Sequence, residues 1–394
     1  MKKIYYITAV FATLFLVGCG DGIDLPGVNV ETDLNKIPLP DNNVNLEQVE
    51  LKPSTEPMLH EGLHTEEDFQ RIRDKKAAGE EPWVSAYQLL VESQFSQKTA
   101  DTYPTEWIKR GVSGDENYMN AARGATIAYQ QALRWKIEQD DEYAAKAVEN
   151  LNKWVQTCVG VTGNTNLSLA AGLYGYEFAI AGELLRDYGG WDRADFAAFQ
   201  NWLLKVFYPA NDDFLKRHHD TNALHYWANW CLCNIAAKMA IGIVTDRRDI
   251  YNEGIAHLQT GDTNGRLRRA IYHDYAPDYN FAQWQESGRD QGHTLMCVGL
   301  MGIICQLAWS QGDDFFAYDD NLFLRACEYA ACCNYTNETV PYTTYIWQKQ
   351  SQWGYPIPEE QTTLGGGKWI KRAIWALPCL LYTSDAADER SSVD

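Results

Sequence analysis

YMNAARGATIAYQQALRWKIEQDDEYAAKAVENLNKWV, residues 118–155, places Ala121, Ala122, Ala125, Ala128, Ala132 and Trp135 at spacings of three and four. That is the period of a helix with one apolar face. The polar cluster Gln139-Asp140-Asp141-Glu142 interrupts the pattern, and Ala145, Val148, Leu151 and Val155 then resume it. Two helices joined by so short a turn must lie antiparallel and side by side, so the stretch predicts a helical hairpin whose first arm is Tyr118–Ile137.

The same pairing recurs downstream. Leu167–Tyr188 is followed by Arg193–Phe207, Asn222–Ile243 by Arg248–Leu258, and Ser287–Ser310 by Asn321–Asn334. The first arm of each pair is apolar and rich in Ala and Gly, and the second carries more charge. Small residues such as Ala170, Ala171, Gly172, Gly175, Ala179 and Ala181 let backbones approach closely, as an inner wall of helices requires. The fold class is therefore all-α, an (α/α) toroid built as an incomplete barrel of hairpins. It begins near the capping-box run Thr65-Glu66-Glu67-Asp68 and spans 61–378. No run of alternating β-branched residues is long enough for a sheet before residue 340, and no fixed-length repeat favours a solenoid. After Pro341, Tyr342–Trp347 reads as a short strand or a loop over the cavity.

Both ends differ from this body. Lys2 and Lys3 precede an apolar run, Ile4–Val17, too short for a stable membrane span, so 1–18 reads as an export signal. Its ending, Leu16-Val17-Gly18-Cys19, resembles a bacterial lipobox. That implies a lipid at Cys19 and a protein anchored in the cell envelope, on the periplasmic or surface face of the outer membrane. Asp21 and Asp24 resemble the surface-export signal of Bacteroidetes-type lipoproteins. Residues 19–60, with Pro26, Pro38, Pro40 and Pro53 and no helical period, read as a flexible tether. At the other end, 379–394 resembles a translated sequencing adapter. It is set aside from the fold, Cys379 included, and the natural chain is expected to continue beyond it.

The chain has 394 residues and 34 Lys+Arg against 53 Asp+Glu, for a net charge of -19. Such a balance excludes nucleic acid as the main partner, because that binding rests on clustered cations releasing counterions. An anionic ligand would need a local basic patch. The aromatic residues are mostly 14 Trp and 23 Tyr, which suit sugar stacking as well as core packing. Cys158, Cys231, Cys233, Cys297, Cys305, Cys327, Cys332 and Cys333 form no C-x-x-C pair, so neither a zinc ribbon nor a redox motif is indicated. Export permits disulfides, but the pattern names none, and buried thiols fit equally well.

Three stretches carry chemistry-capable side chains. Asn222, His225 and Asn229 fall at i, i+3 and i+7 and would share one helix face. Glu286, Arg289 and His293 would share another, with Asp290 beside them, in Trp284-Gln285-Glu286-Ser287-Gly288-Arg289-Asp290-Gln291-Gly292-His293. Between them, Arg266, Arg268, Arg269 and His273 concentrate positive charge, which reads either as a site for an anion or as a salt-bridged face.

The 284–293 stretch resembles the alginate lyase family of polysaccharide lyases. So do Asn229-Trp230 with Met239–Ile243, Tyr318-Asp319-Asp320-Asn321 with Glu328-Tyr329, and Arg268-Arg269-Ala270-Ile271-Tyr272-His273-Asp274-Tyr275-Ala276. The resemblance covers roughly 65–345 and implies a toroid that cleaves a uronic-acid polymer by β-elimination, here alginate, with mannuronate-rich material as the expected form. Elimination needs neutralisation of the C5 carboxylate, a base for the C5 proton and an acid for the leaving O4. Asn229 and Arg289, with Asn222 as a helper, suit the first task. His225 leads as base, and Tyr279 or Tyr275 would be the acid, or base and acid in turn, with Arg268 or Arg269 lowering the phenol's pKa. Trp230, Trp284, Gln285, Glu286, His273 and His293 complete the expected substrate contacts. Asn222 and His225 are separated where the better-known alginate lyases place Asn and His side by side, so the choice among His225, His273 and His293 stays open. With no His-Glu-x-x-His or EF-hand pattern, neither metal nor other cofactor is expected. The chain is expected to act as a monomer. Two other classes remain: a glycoside hydrolase using Glu286 and Asp290, and a surface glycan-binding lipoprotein without turnover.

Overall fold

A computed structural model describes residues 48–351, 354–372 and 374. The expectations for 1–18, Cys19, the first part of the tether and the tail 379–394 lie outside the described residues.

Helix α1 (Glu66–Ala77) starts at the capping box, with the Asp68 amide donating to Thr65 Oγ1 at 3.2 Å and the Thr65 amide to Asp68 Oδ2 at 2.9 Å. After α2 (Trp83–Glu92) and strand β1 (Trp107–Arg110) comes the expected hairpin, α3 (Tyr118–Glu138) and α4 (Asp141–Thr157). Its turn is made by left-handed Gln139 (φ 57°) and by Asp140, whose carboxylate accepts the Glu142 amide. Strand β2 (Gly160–Gly163), α5 (Leu167–Leu184), α6 (Arg193–Val206), α7 (Tyr208–Arg217), α8 (Ala228–Val244) and α9 (Arg248–Thr260) follow. The chain then runs through the turn α10 (Leu267–Ala270), β3 (Ile271–Asp274), β4 (Ala282–Trp284), α11 (Gln291–Trp309) and α12 (Tyr318–Tyr335) to the hairpin β5 (Tyr345–Gln350) and β6 (Pro356–Gln361).

Helices α3, α5, α8 and α11 pack successively as the inner wall, backed by α4, α6, α9 and α12, which is the (α/α) toroid. Helix α5 is buried on every face, as a helix enclosed by neighbours must be. At Gly172 a Cβ would meet Cys233 Sγ at 2.5 Å, so only glycine lets α5 lie this close to α8. The ladder β1–β2 is parallel, with Trp107 opposite Gly160 and Arg110 opposite Gly163, so α3 and α5 are entered in the same sense. Their N-terminal ends, with those of α8 and α11, form one mouth. The two ladders before residue 340 are only three or four residues long, too short to show as alternation in sequence. The residue 342–347 expectation resolves as β5, antiparallel to β6 from Tyr345–Gln361 to Gln350–Pro356.

Three expectations need correction. Residues 48–60 are not free tether but run along α9 to the end of α11, with Asn252 Nδ2 donating to the Lys52 carbonyl and Arg248 to those of Glu56 and Pro57. The Val49 amide donates to Gln259 Oε1 at 2.7 Å, and Gln311 Nε2 reaches the carbonyls of Leu59 and Glu61. Helix α8 begins at Ala228, not Asn222, because Asn222 folds its own Oδ1 onto the Leu224 amide and gives its N–H groups to Gln350 and Gln348 of β5. The first amides of α8 instead donate to Gln285 Oε1 (3.0 Å) and Glu286 Oε1 (3.1 Å), which satisfy groups a helix start leaves open. Likewise α11 starts at Gln291, with Asp290 as its cap on the His293 amide, so Glu286 and Arg289 sit on the turn before it. All eight cysteines among the described residues are free thiols.

Candidate active site

The turn 285–290 organises the mouth. Glu286 is completely buried, and its Oε1 accepts both the backbone amide and the side-chain Nδ2 of Asn229. Its Oε2 lies 3.4 Å from Arg289 Nη1. Arg289 is thereby held with its guanidinium 5.3 Å from the centroid of the Trp227 ring, a cation–π contact. Trp227 stacks on Trp347 of β5 at 4.5 Å, and Trp347 also lies nearly parallel to the His225 ring at 6.2 Å and 10°. Trp347 Nε1 also donates to the His225 carbonyl. The result is a double-tryptophan platform with a cation beside Trp227 and an imidazole beside Trp347. Trp227 and Trp347 were not singled out in sequence; the cue was an aromatic in the Tyr342–Trp347 segment reading as cavity cover.

His225 Nδ1 accepts the Gln350 amide at 2.9 Å, which puts the proton of the neutral ring on Nε2. Burial, with Lys349 nearby, holds its pKa below the usual value, so the ring is neutral at working pH. In this geometry His225 presents an N–H rather than a lone pair. At α11, His293 Nδ1 lies 2.5 Å from Asp290 Oδ2. Burial raises the Asp290 pKa, but this bond, the charges of His293 and Arg289 and the His293 amide together outweigh it, and the carboxyl stays below its ordinary value.

Strand β3 carries the other candidates. His273 is half-buried, with its pKa lowered by burial, and its ring meets Tyr275 edge-on at 4.6 Å. The Tyr275 hydroxyl donates to Gln283 Oε1 at 2.5 Å, and burial raises its pKa. Tyr279 lies beyond them on the β3–β4 loop, 54% exposed. Tyr272, on the opposite face of β3 from His273, packs on Tyr345, whose hydroxyl accepts the Gly288 amide beside Arg289. Tyr345 thus links strand β3 to the Arg289 turn.

Several expected contacts lie elsewhere. Trp284 is fully buried in the core and donates to the Ala326 carbonyl. Gln285 and Asn229 are buried and cap or brace α8. Trp230 packs among Tyr226 and Phe214. Arg268 is engaged by Asp319 and by Asp274, which also pairs with Arg325 at 2.8 Å, and Arg269 donates to the Asp262 carbonyl. For Arg268 the salt-bridged alternative describes the structure, while Arg269 is engaged by a backbone carbonyl. Burial lowers the Arg269 pKa, and Arg266 adds to this. Among the described residues no group of three or more His, Cys, Asp or Glu gathers as a metal site.

The alginate lyase family model matches residues 72–338, which include every helix of the toroid after α1. No curated protein sequence matches. Among solved structures, a variant of alginate lyase A1-III of Sphingomonas species A1, complexed with a tetrasaccharide, aligns with a TM-score of 0.51 at 14% identity, covering 70% of this chain and 79% of that one. An alginate lyase from Bacteroides ovatus aligns with a TM-score of 0.51 at 15% identity over 68% of this chain and 81% of that one. Identities this low speak to the toroid alone. The family match, extending through the Arg289 turn, β3 and α12, identifies this chain as a member of the alginate lyase family.

Proposed function

We propose that the protein is a polysaccharide lyase that cleaves alginate, preferring mannuronate-rich chains, by β-elimination without a metal. The observation that carries this reading, in a chain of this family, is the Arg289 guanidinium set on the Trp227–Trp347 platform at the N-terminal ends of α8 and α11. A sugar face stacks on indole, and its carboxylate meets a fixed cation and the positive ends of two helices.

In the reaction, Arg289 and the His225 Nε2–H draw charge from the C5 carboxylate and stabilise the enolate-like state. His273 is the better base, because its ring is neutral and none of the hydrogen bonds among the described residues engages it, whereas His225 Nδ1 is occupied. His273 takes the C5 proton, the C4–O4 bond breaks with its electron pair on oxygen, C4=C5 forms, and Tyr275 gives its proton to O4. Gln283 holds the Tyr275 hydroxyl in place. Asn229 and Glu286 are positioning residues that fix Arg289. Paired-carboxylate hydrolysis has no support, since Glu286 is sealed from solvent and Asp290 is bound to His293.

A panel of polymannuronate, polyguluronate and glucuronan, followed by ultraviolet absorbance of the C4–C5 double bond with and without a chelator, tests substrate and metal together. Fastest turnover on polyguluronate, or loss on chelation, would overturn the corresponding part. Anchoring at Cys19 belongs to the same proposal. Metabolic labelling with a fatty acid should mark the protein, and labelling that survives Cys19→Ala would refute it.

A further inference from the structure

We propose that Arg110 is a second uronate-binding group, which receives the carboxylate of a sugar unit remote from the scissile bond, across the mouth from Arg289. The inference rests on the lyase reading above. Helices α3 and α11 are the two ends of the inner row, and Arg110, on β1, stands at the α3–α5 end of the mouth.

Arg110 is only 8% exposed, and its Nη1 is buried without any hydrogen-bond partner. The other buried arginines are each engaged by an acceptor: Arg134 by Glu138, Arg186 by Glu183, Arg325 by Asp274, and Arg248, whose Nη1 is likewise unpartnered, by the carbonyls of Glu56 and Pro57 through Nε and Nη2. Among the described residues Arg110 alone in this group has neither a carboxylate nor an acceptor. Its guanidinium lies instead 4.7 Å from the centroid of Tyr118, the first residue of α3, and Tyr118 stacks on Tyr174 of α5 at 6.5 Å and 14°. The nearby Glu116 is turned to the Gly111 amide. Gly111 (φ +77°) and Gly163 (φ +141°) flank the site, where side chains would strike Asn164 and the Arg110 carbonyl.

A chain of net charge -19 has abundant carboxylates with which to neutralise a buried cation, and an unpaired one weakens the fold. A planar guanidinium held on an aromatic ring, with its fork unclaimed, suits the bidentate geometry of a carboxylate. A polyuronate carries one on every sugar, so two fixed cations across the mouth would read two units of the same chain and favour polymer over disaccharide.

The test is Arg110→Met, which keeps side-chain length and removes the charge. Calorimetric titration with mannuronate tetrasaccharide should show binding at least about tenfold weaker than in the unmodified protein, with an unchanged or higher thermal midpoint. Equal affinity, or weaker binding accompanied by a lower midpoint, would overturn the inference, the latter by marking Arg110 as structural. No tetrasaccharide binding by the unmodified protein would overturn it as well. Binding that Arg110→Met weakens, with no turnover in the unmodified protein, supports this site while removing the lyase reading, so the two failures are distinguishable.

Discussion

Replacing Glu286 separates positioning from chemistry. Its carboxylate is completely buried, accepts two N–H groups from Asn229 and faces Arg289, which is 22% exposed. Glu286→Ala would leave both Asn229 donors without a partner, at about 1–3 kcal/mol each. It would also strip Arg289 of its nearest counter-charge, where breaking a buried pair costs about 3–5 kcal/mol. Since Arg289 retains some solvent, the sum is about 5 kcal/mol, comparable with the whole stability of many domains. Glu286→Gln is the informative variant. It preserves volume and the acceptor toward Asn229, and loses only the charge assistance, about 1 kcal/mol per bond. The expected loss is about 2–3 kcal/mol, or a midpoint lower by about 5 °C for a chain of this size. Thermal unfolding by circular dichroism, run beside the ultraviolet assay, should show that drop with elimination reduced but measurable. An unchanged midpoint with turnover abolished would refute the reasoning, because it would make Glu286 a reacting group.

Tyr275→Phe should lower kcat by about 10²–10⁴ while costing only its bond to Gln283, about 1 kcal/mol; Tyr279→Phe should leave both rate and stability unchanged. The reverse pattern would transfer the proton to Tyr279. Stability should also fall as pH drops below about 6.5. Burial holds His64 and His257 at about 4 and His218 at about 3. In the unfolded chain these groups take up protons that the folded chain refuses, each removing about 1.4 kcal/mol per pH unit between the two pKa values. Denaturant midpoints at about pH 7.5 and about pH 5 should differ clearly. Equal midpoints would contradict the burial of these rings.

The hairpins were legible because helical periodicity is local: the α3–α4 pair follows from spacing alone, and the small residues of α5 announced an inner wall. The start of α8 was not, since the amides of Ala228 and Asn229 find acceptors on Gln285 and Glu286, more than fifty residues away in sequence. The face shared by Asn222, His225 and Asn229 vanished with that shift. Arg289 could be picked from its stretch, but the aromatic platform beneath it joins Trp227 to Trp347 across 120 residues, and no spacing rule connects them. The basic cluster misled for a related reason. The partners of Arg268, Asp319 and Asp274, lie on a left-handed turn and a strand edge whose proximity is set by the packing of α12. Arg110 was invisible in sequence because its distinction is the absence of a partner.

The most direct test of the central claim is the mass of the product released from mannuronate-rich alginate. Elimination adds no water, so oligosaccharides carrying an unsaturated terminal uronate should appear one water lighter than hydrolysis products, and Tyr275→Phe should slow their release by the same factor of about 10²–10⁴. Fully saturated products, or intact polymer after prolonged incubation with folded protein, would contradict the account.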